Sequence, residues 1–480
     1  MARALHVVVV GGSAGGLFTS LLLARVGHTV TVLEQERLEI ASDVECAARS
    51  AYRLSAPHIV QPHALLARCR QLFLRWLPDI YAQMLAAGVS ESPLSTQMPA
   101  SLRDTCAMPG DEQLTLLMTR RATVDWVLRR AAATEPGVEI RSGVRVSGLL
   151  ARPGKPPHVT GVQTTEGNVS ADLVVDAAGY RSAIDHWLAD IHAPPTWTLR
   201  AECGVTYFSR QYRLRSGANP PGPPTTRVVV GLNEFTVGIW GGDNGTMQVA
   251  VIPLAQDKRF SRLRYPEVFE AVLRSIPFYA QWLDVLEPTT EIFVMGAVQN
   301  TLRRFVVDGS PVVTGVVAVG DSLCTTNPTL GRGLSFTLCI AANLPGVIER
   351  NADDAPAQML AIDGIVTEEI LPFYQDQVAT DKERLAMLRH TIFDAPAPEP
   401  AAAALDRVTY AQLRTAALFD PIAFRAFWKI MGMVVRPEEV YTDPEVVSRT
   451  RAAIQRQGNR PSMLQPTRNE LLAALATPAS

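Results

Sequence analysis

The chain has few cysteines, no excess of basic residues and no long apolar run. Its six cysteines are scattered, without a C-x-x-C pair or a histidine at metal-ligand spacing, which predicts free thiols in a reducing compartment and no metal site. A net charge of -2 argues against a nucleic-acid partner. No apolar stretch reaches the roughly 18 residues that span a bilayer. No signal peptide is recognisable either, so we expect a cytoplasmic protein with no membrane partner.

What is present begins with a run of valines that ends in glycines, VVVVGGSAGG at Val7–Gly16. The β-branched run His6–Val10 predicts a buried parallel strand, Gly16–Val26 predicts a helix, and Thr29–Leu33 predicts a second strand. Such a βαβ unit of about 30 residues is the setting in which a glycine-rich turn binds the pyrophosphate of a dinucleotide.

The turn follows the G-x-G-x-x-G fingerprint at its first and third glycines, Gly11 and Gly16, while Ser13 takes the middle position. Glu34 lies at the end of the second strand, where an acid accepts hydrogen bonds from ribose hydroxyls. We therefore predict a dinucleotide site. Its candidate residues in this unit are Gly11, Ser13, Ala14, Gly15, Gly16, Glu34 and Gln35.

A second constellation, VVAVGDSLCTTNPTLGRGLSFTL, occupies Val316–Leu338. The run Val312–Val319 predicts a buried strand that ends at Gly320–Asp321, and a helix is expected to begin near Gly331–Gly333. This stretch resembles the GD motif of the single-component flavoprotein monooxygenases related to p-hydroxybenzoate hydroxylase. The resemblance implies noncovalently bound FAD, with Asp321 on the ribityl chain. The loop and helix start that it places beside the isoalloxazine contain Asn327, Pro328, Gly331 and Gly333, and Leu334 is a further cofactor-binding candidate.

Two shorter stretches extend the resemblance. ADLVVDAAGYRS at Ala171–Ser182 is similar to the middle motif of the family, and TRRATVDWVL at Thr119–Leu128 is similar to a helix whose arginine lies near FAD, which implies that role for Arg121, with Arg120 as the alternative. The middle motif has Ala177 where the family has glycine, which leaves direct NAD(P)H binding open. The electrons are expected from NAD(P)H or from a partner flavin reductase.

RLSAPHIVQPHALL at Arg53–Leu66 is similar to a segment of a branch that holds polyether-type polyene epoxidases and other natural-product tailoring oxygenases. Arg53 and His63 match that segment, and His58 stands where glutamine is usual. The resemblance implies a cofactor-binding role for Arg53 and makes His63 the candidate catalytic residue.

The predicted fold class is α/β, with a Rossmann-like, GR2-type FAD-binding domain, an antiparallel substrate domain and a helical C-terminal region. The FAD-binding domain is expected to be discontinuous, at residues 1–192 and 289–350. Residues 193–288 form the predicted substrate domain, where Phe235 and Trp240 are expected to line the substrate pocket. The helical region is expected at 351–480, with an Ala/Pro-rich linker at 395–404.

The resemblance implies that reduced flavin reacts with O2 to give a C4a-hydroperoxide, which transfers one oxygen atom to an apolar natural-product-type substrate by epoxidation or hydroxylation. An FAD-dependent oxidase, dehydrogenase or reductase is the main alternative. A flavin-dependent halogenase is a weaker alternative, because the chain has four lysines, none of them in the early segment, and no W-x-W-x-I-P stretch. A non-enzymatic flavoprotein module is the last alternative.

Overall fold

A five-stranded parallel sheet forms one layer of the structure, a computed structural model that describes residues 3–102, 104–397, 406–457 and 464–479. The strands, in chain order, are β1 (His6–Val10), β2 (Thr29–Glu34), β3 (Ala64–Leu65), β4 (Ser90–Ser92), β5 (Leu116–Met118), β6 (Val138–Ser142), β7 (Val146–Arg152), β8 (His158–Thr164), β9 (Gly167–Ser170), β10 (Leu173–Asp176), β11 (Trp197–Glu202), β12 (Tyr207–Leu214), β13 (Arg227–Gly231), β14 (Phe235–Gly241), β15 (Thr246–Pro253), β16 (Leu286–Pro288), β17 (Phe293–Met295), β18 (Gln299–Arg304), β19 (Val306–Val307), β20 (Ser310–Pro311), β21 (Val316–Ala318) and β22 (Cys324–Thr325).

The helices, in chain order, are α1 (Ala14–Arg25), α2 (Val44–Arg49), α3 (Ala67–Trp76), α4 (Pro78–Ala86), α5 (Leu94–Gln97), α6 (Arg121–Thr134), α7 (Ile184–Asp190), α8 (Pro266–Arg274), α9 (Pro277–Val285), α10 (Gly333–Arg350), α11 (Ala355–Ile365), α12 (Leu371–Phe393), α13 (Tyr410–Ala416), α14 (Pro421–Met431), α15 (Pro437–Tyr441), α16 (Pro444–Gln457) and α17 (Arg468–Leu475). A π-helical turn, Val366–Ile370, joins α11 to α12. Within the described residues, no helix has the length and apolar character that crossing a membrane requires.

The parallel sheet has the strand order β21-β10-β1-β2-β6. Val7, Val8 and Val9 of its central strand are fully buried, which explains why the sequence there is a continuous apolar run rather than an alternating one. Strand β21 is shorter than predicted, because the preceding residues bond elsewhere: the Val312 amide donates to Phe305 and the Thr314 amide to Pro157. The strands β7, β8 and β9 form an antiparallel meander beside this sheet.

An antiparallel sheet in the order β13-β14-β15-β12-β16 forms the second layer, with β17 paired to β12. Its far face packs on α8, α9 and α17 through one apolar cluster. Its near face looks toward the parallel-sheet half of the molecule, where Tyr207, Trp240 and Ala250 join the main core. The α/β class with a Rossmann-like sheet and a separate antiparallel sheet is confirmed.

Phe235 and Trp240 lie on opposite faces of this antiparallel sheet, so the prediction that both line one pocket is wrong. Side chains alternate between the faces of a strand, and these two positions are an odd number of residues apart. Phe235 packs on Phe260 in the far-face cluster, with ring centroids 5.4 Å apart. Trp240 points to the near face, where its ring covers Gly238. Only Trp240 remains a candidate for the substrate pocket.

Two contacts cross the predicted domain limits, which themselves stay a prediction. Strand β11 pairs with β18, beyond residue 288, rather than with the antiparallel sheet. Helix α17 lies within the predicted C-terminal region but packs on the far face, where Arg262 donates to the carbonyl oxygens of Leu475 and Thr477. The predicted linker at 395–404 lies largely outside the described residues, which end at 397 before that gap.

Candidate functional site

The glycine-rich turn between β1 and α1 is closed so tightly that side chains would collide there. A Cβ atom on Gly16 would lie 1.9 Å from the carbonyl oxygen of Gly11. Gly11 itself has a φ of +112°, and its Cβ would lie 2.4 Å from the carbonyl oxygen of Ala177. Helix α1 starts directly after this turn without a side-chain cap. Its first N–H groups and its positive dipole end are therefore available to an anion such as a pyrophosphate.

Glu34 and Arg53, predicted from separate motifs, lie together at the end of β2. The Glu34 carboxylate accepts hydrogen bonds of 2.9 Å from the amides of Gly12 and Glu36, and pairs with an Arg53 nitrogen at 2.8 Å. Arg53 also donates to Glu36 at 2.8 Å. Its Nη1 is buried and has no hydrogen-bond partner among the described residues. Because a buried guanidinium nitrogen without an acceptor is costly, the site fits a ligand that supplies one.

One face of α6 lines the same turn. Arg121 donates to Asp125 at 3.2 Å, and the Ser13 hydroxyl lies 3.4 Å from the same carboxylate. Arg129 donates to the carbonyl oxygen of Gly12 at 3.0 Å. Asp125 and Arg129 were missed in the sequence, although their spacing of four and eight residues from Arg121 places all three on one helix face.

Arg120 is not available to this site. It forms a buried ion pair with Asp243, whose carboxylate also accepts from the Arg120 amide at 2.7 Å, and it reaches Glu45 at 2.7 Å. Of the two adjacent arginines, Arg121 is therefore the one that faces the dinucleotide turn.

Asp321 lies at the start of the second constellation, after β21. Its carboxylate accepts no hydrogen bond within the part of the chain that the structure describes, and the Cβ position of Gly333 lies 3.8 Å from its Oδ1. Burial raises the pKa of Asp321 to about 6, against the opposing effect of the Arg121 charge. Helix α10 begins at Gly333, also without a side-chain cap. The Asp321 carboxylate can accept hydrogen bonds from hydroxyl groups of a ligand. The uncapped N-terminus of α10 can donate to an electron-rich ring edge.

The loop between Asp321 and α10 is anchored by a buried polar network that the sequence did not reveal. Asn327 donates to Asp381 at 2.8 Å, and Asn300 donates to the other oxygen of the same carboxylate at 2.7 Å. The Tyr207 hydroxyl bonds to Asn327 and, at 2.7 Å, to Thr329. Burial raises the pKa of Asp381 to about 6. This network fixes the loop against both α12 and the near face of the antiparallel sheet.

A second buried group holds the start of α10. Arg332 is fully buried, pairs with Asp376 at 2.5 Å and donates to the carbonyl oxygen of Phe373 at 2.7 Å. Tyr441 of α15 donates to the other oxygen of Asp376. The C-terminal helices therefore position the glycines on either side of Arg332.

His58 and His63 lie side by side with ring centroids 6.4 Å apart. The Nδ1 of His63 lies 2.8 Å from the carbonyl oxygen of Gln61. Because a carbonyl oxygen only accepts, this nitrogen carries the proton, and Nε2 is left as an acceptor. Burial and the charge of Arg121 lower the pKa of His63 to about 4 and that of His58 to about 3, so both rings are neutral at pH 7.

The remaining sequence candidates contribute unequally. Gln35 and Pro328 are exposed. The side chains of Ala14 and Leu334 are buried in the main core, so only their backbone groups can face a ligand. A Cβ on Gly15 would lie 2.6 Å from Thr337, which makes Gly15 a contact point between α1 and α10, whereas Gly331 has ordinary space and a φ of +75°.

His58→Gln is expected to reduce the loss of stability on acidification. The folded-state pKa of His58 lies below its unfolded value of 6.5, so the unfolded chain binds the proton first and folding weakens as pH falls below about 6.5. Between pH 7 and pH 5 this group contributes a loss of about 1–2 kcal/mol. Urea unfolding at both pH values measures it, with exposed His186→Gln as the control. Equal losses in wild type and His58→Gln would contradict the assignment.

No model of a known protein family matches the chain. Protein Rv3254 of Mycobacterium tuberculosis is 28% identical over 375 residues, which cover 71% of this chain and 72% of that protein. Among solved structures, the flavin-dependent brominase Bmp2 matches with a TM-score of 0.61 at 16% identity, covering 94% of this chain and 98% of that chain. PqsL of Pseudomonas aeruginosa, a probable FAD-dependent monooxygenase, matches with a TM-score of 0.55 at 16% identity, covering 82% of this chain and all of that chain.

The chain therefore has the fold shared by FAD-dependent monooxygenases and flavin-dependent halogenases. The predicted resemblance to the p-hydroxybenzoate hydroxylase-like superfamily is confirmed at the level of the fold.

Proposed function

We propose that this protein is an FAD-dependent monooxygenase that places one oxygen atom of O2 into an apolar organic substrate. The observation that carries the proposal is the presence of two uncapped helix starts, at Ala14 and Gly333, each with an acid beside it, Glu34 and Asp321. FAD has a pyrophosphate for the first helix start, ribose hydroxyls for Glu34, ribityl hydroxyls for Asp321 and a flavin ring for the second helix start. The structure thus supports FAD over a mononucleotide.

FAD, when bound, would activate O2, and the residues of this chain bind it and shape its surroundings. Gly11, Gly16 and the start of α1 would receive the pyrophosphate, with Glu34 and Arg53 at the adenosine ribose. Asp321 would accept from the ribityl hydroxyls. The start of α10 would donate to the electron-rich edge of the reduced ring, which favours its anionic form.

The near face of the antiparallel sheet closes the site from the other side. Gln248 accepts from the His63 amide at 3.1 Å, and Ser209 donates to Gln61 at 2.8 Å, so the sheet is bonded directly to the segment that carries His63. Such a cover would exclude water from the site, and oxygen transfer to an organic substrate requires this exclusion. The neutral His63, with Nε2 as acceptor, would take a proton from the hydroxyl group of a phenolic substrate during hydroxylation, whereas epoxidation needs no base.

The electron source stays a proposal: NAD(P)H bound transiently, or a partner flavin reductase. The departure at Ala177 has a structural counterpart, because Asp176 is engaged locally. Its carboxylate accepts from the Ala178 amide at 3.0 Å and from the Ser182 hydroxyl at 2.5 Å. Stopped-flow reduction with NADPH and NADH, compared with reduction by a purified flavin reductase, separates the two sources.

The reaction is tested with 18O2 and the compound that co-purifies with the protein, identified by mass spectrometry. We expect one 18O atom in the product and little hydrogen peroxide. Stoichiometric peroxide with an unlabelled, desaturated product would support the oxidase or dehydrogenase alternative. The alternative of a halogenase, raised by the fold of Bmp2, predicts a halogenated product in bromide or chloride. It is disfavoured because Lys155, Lys258, Lys382 and Lys429 are all exposed.

The purified protein is expected to be yellow and to release FAD, rather than FMN, on denaturation. Asp321→Ala and Glu34→Ala each remove a charged hydrogen-bond acceptor, which costs about 1.5–3 kcal/mol of binding free energy. The dissociation constant for FAD should therefore rise roughly tenfold to a hundredfold in each variant. Titration of apoprotein with FAD measures this, with the exposed Asp353→Ala as control. Unchanged affinity in both variants would contradict the placement of FAD.

A further inference from the structure

Gln248, on the near face of β15, bonds to both main-chain groups of His63. Its side chain is fully buried. The Oε1 atom accepts from the His63 amide at 3.1 Å, and the Nε2 atom donates to the His63 carbonyl oxygen at 3.0 Å. One side-chain amide thus reproduces the reciprocal pairing of two residues in an antiparallel sheet.

The same side-chain amide reaches the segment that leads into α6. Its Nε2 lies 3.3 Å from the carbonyl oxygen of Thr119, two residues before Arg121, and 3.4 Å from that of Gly241 on β14. Gln248 therefore joins the His63 segment to the start of the helix that carries Arg121. Through this one amide, the antiparallel sheet fixes the backbone of His63 relative to that of Arg121.

Two other side chains of the sheet bond to residues that precede His63. Ser209 donates to the Gln61 side chain at 2.8 Å, and Gln211 donates to the Val60 carbonyl oxygen at 3.3 Å. Both hold the segment without bonding to the histidine itself. They therefore provide a comparison for what Gln248 does.

The state of the His63 ring depends on where the segment holds it. Its Nδ1 donates to the carbonyl oxygen of Gln61 at 2.8 Å, which fixes the tautomer. The charged or titratable groups that face the ring are His58 on its own segment, and Arg121 and Asp125 on α6. The sheet contributes uncharged amide and hydroxyl groups to the segment. Movement of the ring into water and away from Arg121 would favour its protonated form.

We propose that Gln248 is a positioning residue, which keeps the Nε2 atom of His63 as a hydrogen-bond acceptor by holding the His63 backbone beside the start of α6. The proposal rests on the function proposed above, in which His63 takes a proton from a phenolic substrate. A protonated imidazole has two donors and no acceptor, so it could not take that proton. Without the bonds of Gln248, the segment would turn, the ring would gain water, and both its tautomer and its pKa would change.

The experiment follows the His63 ring by NMR in the full-length protein, labelled with 13C and 15N at histidine, with and without added FAD. The His63 signals are assigned by their absence in His63→Asn. In the wild type we expect the Nδ1–H tautomer and a pKa of about 4. Gln248→Met keeps the length of the side chain and loses its bonds, so the proton affinity of His63 should rise about tenfold or more and both tautomers should appear. Gln248→Asn is too short to reach His63 and should have the same effect.

Gln211→Met is the matched control, because it removes a bond from the same sheet to the same segment without touching His63. His63 should titrate there as in the wild type. A His63 tautomer and pKa that stay unchanged in a folded Gln248 variant would overturn the proposal, even where the melting temperature falls, since a merely structural role predicts that result. An equal change in Gln211→Met would overturn it as well. These measurements involve no turnover, so they are decided separately from the 18O2 experiment.

Discussion

Asp243→Ala is expected to lower the free energy of unfolding by about 3–5 kcal/mol, because it leaves the buried Arg120 with only the partly exposed Glu45 as a counterion. Asp243 is fully buried. Its carboxylate accepts from the Arg120 amide at 2.7 Å, from the Arg120 side chain, and from the Thr123 hydroxyl at 2.7 Å. These bonds join the start of α6 to the turn between β14 and β15. The substitution therefore removes a bond between α6, which lines the glycine-rich turn, and the antiparallel layer.

Urea unfolding followed by circular dichroism measures this loss. Asp284→Ala provides the matched control, because Asp284 is also paired with an arginine, Arg274 at 2.8 Å, but its side chain is 66% exposed. Exposed pairs of this kind contribute about 0–1 kcal/mol. Similar losses in the two variants would show that burial of the Asp243 pair carries no special weight.

Gly16→Ala is expected to yield protein without bound FAD. The added Cβ would lie 1.9 Å from the carbonyl oxygen of Gly11, and 3.2 Å from a methyl group of Val9. Since the nearest atom belongs to the backbone, helix α1 must move away from β1 to relieve the overlap. That movement displaces the N–H groups that would receive the pyrophosphate. After incubation with excess FAD and removal of the unbound flavin, the ratio of flavin absorbance at 450 nm to protein absorbance should fall to the background level.

The control for this substitution is Gly364→Ala in α11, where a Cβ would meet no atom within 4 Å. Alanine favours a helix over glycine by about 1 kcal/mol, so this variant should be as yellow as the wild type and slightly more stable. A Gly16→Ala protein that retains full FAD content would contradict the close approach of α1 to the turn. Circular dichroism separates loss of FAD from loss of the fold.

Much of the dinucleotide half was predictable from the sequence, because its signals are local. The valine run of β1, the glycines of the turn and Glu34 lie within about 30 residues, and their geometry follows from backbone sterics and strand burial. The GD stretch with Asp321 is local in the same way. Arg129 could also have been predicted, because its spacing of eight residues from Arg121 places both on one face of α6. The choice of Arg121 over its neighbour needed the structure, since the partner of Arg120 lies more than 100 residues away.

The sequence by itself determined the α/β class, the βαβ unit and the candidate dinucleotide turn. Only the tertiary structure decided which face of the antiparallel sheet meets the parallel-sheet half of the molecule, and so separated Trp240 from Phe235. It also brought Asp381 to Asn327. The physical reason is that periodicity records which side chains share a face, whereas the partner of a buried charge is set by packing between segments distant in sequence.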